Sequence, residues 1–292
     1  MTNNLPSESR ETNKRRKCIF YDVKHSNNSA RVRLWLRLHG GLEEHIETVV
    51  LGHDDLDNGE KLSEVNPMRR VPAFVTDSGL KLFESFVILS YLEDRFGGEE
   101  KGKKSESASK LPRLVLDTAD DRAYVQLLVR IHDIYLSSAN ASQPHFSHTQ
   151  GCMYLDPVPT KYTPARRTMP DPIIRAAKLN ELHKQLSWLE ETMVGTPYLA
   201  GERMTHADIT WFPTCIFMEL LLPYVFGWAA IFYETKYFPR LTKWFQACLK
   251  NEHFGSIRRD IYNVLVQQKE DGRFDGVREV VKNNPDLKWK YT

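Results

Sequence analysis

Nine residues, Asn66-Pro67-Met68-Arg69-Arg70-Val71-Pro72-Ala73-Phe74, followed ten positions on by Glu84-Ser85 at the head of an apolar run, constrain this chain more than any other segment. Proline fixes φ and biases the preceding residue toward extended backbone, so the segment reads as a turn, a proline-locked loop and a short buried strand. The run that opens at Glu84-Ser85 reads as a helix, whose first backbone N–H groups can hold an anion. Together these elements suit the gripping of a small peptide by its backbone.

The flanking sequence embeds this unit in a small α/β domain. Cys18-Ile-Phe-Tyr-Asp-Val23 is β-prone, and Ala30 to Leu38 is a long run without Gly or Pro, closed by Gly40-Gly41 as a helix is. Ile46 to Leu51 reads as a second strand, completing a βαβ unit. Val71 to Thr76 and Leu80 to Phe83, joined by the turn Asp77-Ser78-Gly79, form an antiparallel pair ahead of the helix marked by Phe86, Ile88, Leu89, Leu92 and Phe96. A βαβ unit followed by ββα is the order of a thioredoxin-like domain, here spanning 18–97.

From 98 to 112 the composition shifts to Gly, Lys, Ser and Glu, a linker signature. Beyond it, Leu114 to Leu136, Ile173 to Met193, Ala207 to Leu222 and Phe238 to Leu249 are helical in character, giving an all-α second domain over 113–255. The start of the third is especially legible: Thr205 is an N-cap, Asp208 reaches back as the third helical residue, and Met204 and Ile209 stand where a hydrophobic staple requires them. Residues 256–292 form an extension with Ile257, Ile261, Val264 and Leu265 at helical spacing, read as a brace for the helical domain.

Composition excludes several partners. Lys and Arg total 40 against 38 for Asp and Glu, so no basic surplus calls for nucleic acid. Cys18, Cys152, Cys215 and Cys248 are widely spaced without a CxxC pair, as in reduced intracellular proteins. Residues 1–17 are polar and carry Glu8 and Glu11, which reads as a disordered tail and not a signal or transit peptide. No apolar run approaches the length of a membrane span, and the expected location is the cytoplasm.

Four motifs carry a resemblance to the soluble glutathione transferases: Ser26 to Arg33, Asn66 to Pro72, Phe83-Glu84-Ser85 and Tyr198 to Ile209. They lie in the family's order over roughly 18 to 250, and the Asn-Pro-Met-Arg-Arg-Val-Pro loop and a serine in the first turn resemble its serine-type, zeta- and tau-like branches. The resemblance implies a cis bond before Pro72, with Val71 pairing with the cysteinyl backbone of glutathione like a neighbouring strand. It implies that Glu84 accepts the γ-glutamyl ammonium while Ser85 and the amides behind it take that residue's carboxylate. Arg70 reaches toward the glycyl carboxylate, assisted by Lys61. Glutathione is then a co-substrate and no metal is required; the family is usually homodimeric and is associated with detoxification.

The same resemblance places the group that meets the sulfur between the first strand and first helix. Ser26 matches the serine whose hydroxyl stabilises the thiolate; Asn28 is a second donor and Ser29 the fallback, while turn chemistry is the ordinary role of such asparagines. Bringing a thiol from about 8.5 to between 6 and 7 takes roughly 3 kcal/mol, within reach of a charge-assisted hydrogen bond and a helix N-terminus. No cysteine occupies this loop, which argues against the branches that form a mixed disulfide there. The reaction expected is attack of the thiolate on an electrophilic, apolar or aromatic small molecule, in a pocket lined by Tyr124, His132 and Tyr135. Isomerisation, dehalogenation or ether cleavage by the same thiolate are alternatives, as is a non-catalytic scaffold on the same fold.

The chain departs from the family in an insertion over 139–172, punctuated by Pro144, Pro157, Pro159, Pro164 and Pro170. Loops of this length in compact domains are often lids or binding surfaces, and Tyr154, Tyr162, Arg166 and Arg167 are candidates to shape the second-substrate pocket. His145, His148 and Cys152 meet metal-site spacing only in part, with no fourth ligand.

Overall fold

The computed structural model describes residues 16–52, 55, 60–97, 113–137 and 149–292, the Arg166 side chain excepted. The expected tail, the linker over 98–112 and the first part of the insertion, with His145 and His148, lie largely or wholly outside the described residues.

The first unit is a four-stranded mixed sheet with strand order β2-β1-β3-β4. Strand β1 (Cys18–Asp22) pairs parallel with β2 (Ile46–Val50) and antiparallel with β3 (Ala73–Val75), which pairs antiparallel with β4 (Lys81–Phe83). Helix α1 (Asn27–His39) makes the crossover between β1 and β2, α2 (Glu60–Val65) precedes β3, and α3 (Ser85–Phe96) follows β4. Helix α1 starts three residues earlier than its apolar run does, because Ser26 caps it by accepting from the Ser29 N–H at 3.2 Å. Helix α2 escapes sequence reading: it is six residues long and buries only Leu62 and Val65.

The second unit consists of α4 (Ala119–Ile131), extended by a wider turn over His132–Ser137, then α5 (Pro172–Thr192), α6 (His206–Phe226), α7 (Pro239–Leu249), α8 (Glu252–Glu270) and α9 (Asp275–Asn283). Helix α6 is the central post, with its flanks packed by α1, α4 and α8. Its 21 residues have a mean hydropathy of 1.5 in their most apolar window, so by length and composition it qualifies as a membrane span, contrary to the sequence reading above. That window is 83% buried inside the protein, which accounts for its apolarity as that of a core helix.

The reciprocal cap of α6 is present. Asp208 accepts from the Thr205 N–H at 2.8 Å while the Thr205 side chain caps the first turn, and the second Asp208 oxygen accepts from Leu199 N–H and Trp244 Nε1, both at 2.9 Å. One carboxylate thereby ties the α6 start, the preceding loop and α7 together.

Glu93 is the matching joint between the two units. Its carboxylate, 2% exposed, accepts from Trp35 Nε1 of α1 at 2.8 Å and from the Leu114 N–H, where the chain enters the helical domain, at 3.1 Å. Burial opposes its charge, but the His206 ring, 3.5 Å away, and the Trp35 hydrogen bond win and hold its pKa below the ordinary carboxylate value.

Candidate functional site

The loop before β3 is shaped by one buried side chain. Asn66, 2% exposed, donates from Nδ2 to the Arg70 carbonyl at 2.8 Å and accepts from the Met68 N–H at 2.9 Å, folding the loop around itself. Arg69 adopts φ +50°, and the Val71–Pro72 peptide is cis. Val71 lies just before the β3 ladder, half-buried; the Arg70 side chain and Lys61, on α2, are exposed.

At the head of α3 stands an anomaly. Glu84 occupies the N-cap position with φ +69°, a region that residues with a Cβ seldom enter, and its exposed side chain makes no capping hydrogen bond. A strained residue whose carboxylate does nothing for its own helix is a candidate for work on a ligand. The next residue, Ser85, is 7% exposed and begins the helix, so its N–H and those behind it form the positive end of a 12-residue helix.

Ser85 Oγ is met from below by Arg31 of α1, at 3.0 Å. Arg31 is 1% exposed and also pairs with Asp133 at 2.8 Å and lies 2.7 Å from His132 Nδ1. A guanidinium only donates, so Nδ1 is the accepting nitrogen and Nε2 carries the proton, which it gives to Thr214 Oγ1 of α6 at 2.8 Å. Thr214 also accepts from Asn27 Nδ2 at 2.8 Å, and Asn27 donates again to Gln150 Oε1 at 2.9 Å. A continuous polar chain therefore runs from the α3 head through Arg31, His132 and Thr214 to the first turn of α1.

The charges in this chain set its titration. Burial and the adjacent Arg31 charge bring His132 down to about 4, so it is neutral near pH 7. Burial alone would raise the Asp133 carboxyl, but Arg31 and His132 hold it far below the usual range. Arg31 is thus a fixed buried cation beneath the α3 N-terminus, compensated on its far side by Asp133.

The loop entering α1 is fixed by Arg33, which pairs with buried Asp22 at 2.6 Å and donates to the Val23 and Lys24 carbonyls at 2.9 and 2.6 Å. It presents Ser26 half-buried, with φ −72° and ψ 120°. Ser26 Oγ accepts from Ser29, which leaves its own proton free to donate outward. Asn28 is half-buried near Ser137, which donates toward its Oδ1 at 3.5 Å, whereas Ser29 is completely buried.

The residues expected to line a second-substrate pocket do not converge. The Tyr124 hydroxyl donates to the Thr192 carbonyl at 2.6 Å, fastening α4 to the end of α5; His132 is sealed in the polar chain; Tyr135 is exposed. Tyr154 of the insertion and Phe217 of α6 form an aromatic pair in the helical domain, with ring centroids 5.7 Å apart. Burial dominates the Tyr154 hydroxyl, raising its pKa far above the ordinary tyrosine value, while Arg167, Arg273 and Arg70 act on it in the opposite sense.

The insertion is bolted down over its described part. Arg175 donates to the carbonyls of Cys152, Leu155 and Met169 at 2.6, 2.6 and 2.8 Å, and Arg273 pairs with buried Asp156 at 2.5 Å and donates to Thr163 at 2.9 Å. Cys152 is completely buried and its thiol is pushed up to about 12 by burial. The C-terminal extension supports the helical domain too: Trp228 Nε1 donates to the Trp289 carbonyl and the Ala229 N–H to Thr292 Oγ1, both at 2.8 Å.

Sequence reasoning passed over Arg31, Asp133, Thr214, Asn27 and Gln150. The available clue was an arginine on the buried side of an apolar helix, which needs a partner to be tolerated there. A separate cavity of about 760 Å³ between α3, α4 and α6 is lined by Phe86, Glu93, Arg113, Arg203 and His206 among others, none of them candidates above. Four of its charges pair with one another, Arg113 facing Glu93 at 3.7 Å and Arg203 facing Asp117 at 3.0 Å.

Comparison with known proteins supplies the family. Residues 25–95 match the family model for the glutathione S-transferase N-terminal domain and residues 172–247 the one for the C-terminal domain, about half of the chain together. Among curated proteins, no sequence is significantly similar. Among solved structures, a glutathione transferase from Phanerochaete chrysosporium superposes with a TM-score of 0.60 at 17% identity, covering 87% of this chain and 98% of that one. A glutathione S-transferase from Methylobacillus flagellatus, solved with glutathione bound, gives 0.58 at 15% identity over 82% and 98%. A maleylacetoacetate isomerase from Methylobacterium extorquens AM1, with malonate and glutathione bound, gives 0.56 at 19% over 84% and 97%. The two domain matches in sequence order and the sheet-then-helices architecture show that this chain belongs to the glutathione S-transferase family.

Proposed function

We propose that the protein is a glutathione-dependent transferase that stabilises the thiolate of glutathione for attack on an electrophilic, apolar or aromatic small molecule. The observation that carries this reading is the α3 head, where Glu84 is held at φ +69° with a carboxylate that does not cap its helix, beside Ser85 and a buried arginine. A γ-glutamyl group is a zwitterion, and it finds an acceptor for its ammonium in Glu84 and donors for its carboxylate in Ser85 and the helix amides. Val71 offers backbone groups to the cysteinyl unit, and Arg70 with Lys61 offers charge to the glycyl end.

In this reading Ser26 donates to the sulfur and Asn28 assists. Arg31 is a positioning residue: it fixes Ser85 and adds positive potential behind the carboxylate site. Tyr154 and Phe217 contribute to the second-substrate pocket in preference to Tyr124 and Tyr135, whose placements are described above. The protein acts in the cytoplasm, in keeping with four unpaired, buried cysteines. It functions as a homodimer, for which Val87 of α3 and Leu127, Ile134 and Tyr135 of α4 and its extension, each 45 to 48% exposed, offer apolar side chains. Light scattering that finds only monomer at micromolar concentration would remove the dimer from this account.

Calorimetric titration with glutathione is the primary test. Binding at submillimolar to low-millimolar concentration, weakened at least tenfold by Glu84→Gln, is expected; no heat of binding at several millimolar would leave the chain a scaffold on this fold. A second reading keeps the site and changes the chemistry to isomerisation, supported by the zeta-like Asn66 to Pro72 loop and the likeness in fold to a maleylacetoacetate isomerase. Turnover of a cis-enedione substrate with glutathione regenerated, and no conjugate accumulating, would favour it.

A further inference from the structure

We infer that Gln150, in the insertion, is a positioning residue for the sulfur site: it sets which end of the Asn28 amide is left for the thiolate. The inference rests on the reading that Ser26 and Asn28 meet the glutathione sulfur, and it gives the insertion a part in that chemistry.

The orientation of each amide follows from its neighbour. The Asn28 N–H can only donate, and it bonds Asn27 Oδ1 at 2.9 Å, so Nδ2 is the end of the Asn27 amide that points away. That nitrogen donates to Thr214 Oγ1 at 2.8 Å and to Gln150 at 2.9 Å, and the Gln150 atom it meets is therefore Oε1. Gln150 Nε2 is left as a donor, and Ser137 Oγ accepts from it at 3.3 Å. With that lone pair used, the Ser137 proton is free for Asn28 Oδ1, 3.5 Å away. Long contacts of this kind tighten when a substrate is bound.

The consequence lies at Asn28. With Oδ1 turned toward Ser137, its Nδ2 protons bond no partner among the described residues, and the residue is half-buried. A thiolate needs donors, which Nδ2 supplies; the amide turned the other way would offer it a lone pair. Gln150 is itself well fixed. It is 1% exposed, in the short turn Thr149–Met153, and Arg175 holds that turn by donating to the Cys152 carbonyl at 2.6 Å. Thr214, which shares the Asn27 amide with it, is completely buried on the central helix α6. A buried amide with both ends engaged is a rigid support; Asn28, with one end engaged, is a donor held ready.

The test titrates the thiol of glutathione bound to the full chain, followed by the ultraviolet absorbance of its thiolate. Beside it, calorimetry uses ophthalmic acid, the glutathione analogue with a methyl group in place of the thiol. Gln150→Met is similar in size and lacks both polar ends. It is expected to raise the bound thiol pKa by about one unit, about tenfold less thiolate at a pH below both values, while ophthalmic acid affinity stays within about twofold. Ser137→Ala, at a half-buried position, is expected to raise it by about half a unit, so the relay is still tested where Gln150→Met fails to fold. Added to Asn28→Ala, Gln150→Met should shift the thiol little further, since the two act through one group. An unchanged thiol pKa in either single variant, fully additive shifts in the double variant, or a loss of ophthalmic acid affinity as large as that for glutathione would each overturn the proposal and leave the transferase reading standing. An unsubstituted protein that binds neither ligand, or binds glutathione without lowering its thiol pKa, would overturn both.

Discussion

The heads of α6 and α3 are built from similar residues and lead opposite lives. At α6, Thr205 and Asp208 satisfy each other, Asp208 is completely buried, and its other oxygen is shared by two further partners, Leu199 in the loop and Trp244 of α7. At α3, Glu84 leaves its helix uncapped, stays exposed and tolerates a left-handed backbone, while Ser85 is held from beneath by a buried charge. A polar group whose valences are all used stabilises a fold; one kept in strain with valences open is available to a ligand. The difference separates structural from functional use of the same chemistry.

The largest effect expected from breaking the satisfied end is at Asp208. Asp208→Ala leaves the Thr205 and Leu199 amides and the Trp244 indole without their buried acceptor, and should cost about 3–5 kcal/mol in urea unfolding. The glutathione affinity of the folded fraction should not change; a selective loss of binding would show that the α6 cap is not purely structural.

The buried chain beneath the open end makes stability depend on pH. His132 has a folded pKa of about 4, below the unfolded value near 6.5, so the unfolded state binds the extra proton between the two. Stability is fully present above pH 6.5 and is lost as the pH falls toward 4, by about 3 kcal/mol in all. The depressed carboxyls of Asp133 and Glu93 add a further loss at lower pH, as each is protonated. His132→Gln, which keeps an acceptor for Arg31 and a donor for Thr214, should flatten the slope between pH 6.5 and 4. An unchanged slope would mean that another group carries it.

Ser26 stands between the two classes, being both cap and proposed thiolate donor. Ser26→Ala should lower kcat about 100-fold, the scale of losing one hydrogen bond that stabilises an anion, and cost about 1 kcal/mol of stability as a lost N-cap. Full activity with that modest destabilisation would move the sulfur contact to Asn28.

Smallest in magnitude and sharpest in sign is Glu84→Gly. Glycine enters φ +69° without penalty, so the variant should be about 1 kcal/mol more stable while glutathione binding falls at least tenfold. Destabilisation would show that Glu84 serves its own helix after all.

Much of this architecture is legible in the amino-acid order because the relevant physics is local. Alternation and turn residues give the ββ pair at Val71 to Phe83; Thr205 and Asp208 announce a helix start three residues apart; Gly40-Gly41 closes α1. Helix α2 is missed because six residues with two buried apolar positions carry too little periodicity to stand out. The membrane-length apolarity of α6 escapes notice because Thr, Pro and Glu interrupt the run, and only packing on several sides shows why it is so apolar.

By itself the sequence determined which residue types meet a peptide-like ligand: a proline loop, an acid and a serine at a helix start, a serine at a strand end. Each of those is specified within a few bonds of its neighbours. The tertiary structure decided what surrounds them. Arg31, Asp133, Thr214 and Gln150 come from α1, the end of α4, α6 and the insertion, up to 187 positions apart in their direct contacts, and no local rule joins them. Burial at a domain junction is what turns one arginine in an apolar helix into a fixed charge beneath the α3 head, because a charge taken out of water must find its partners wherever the fold has brought them.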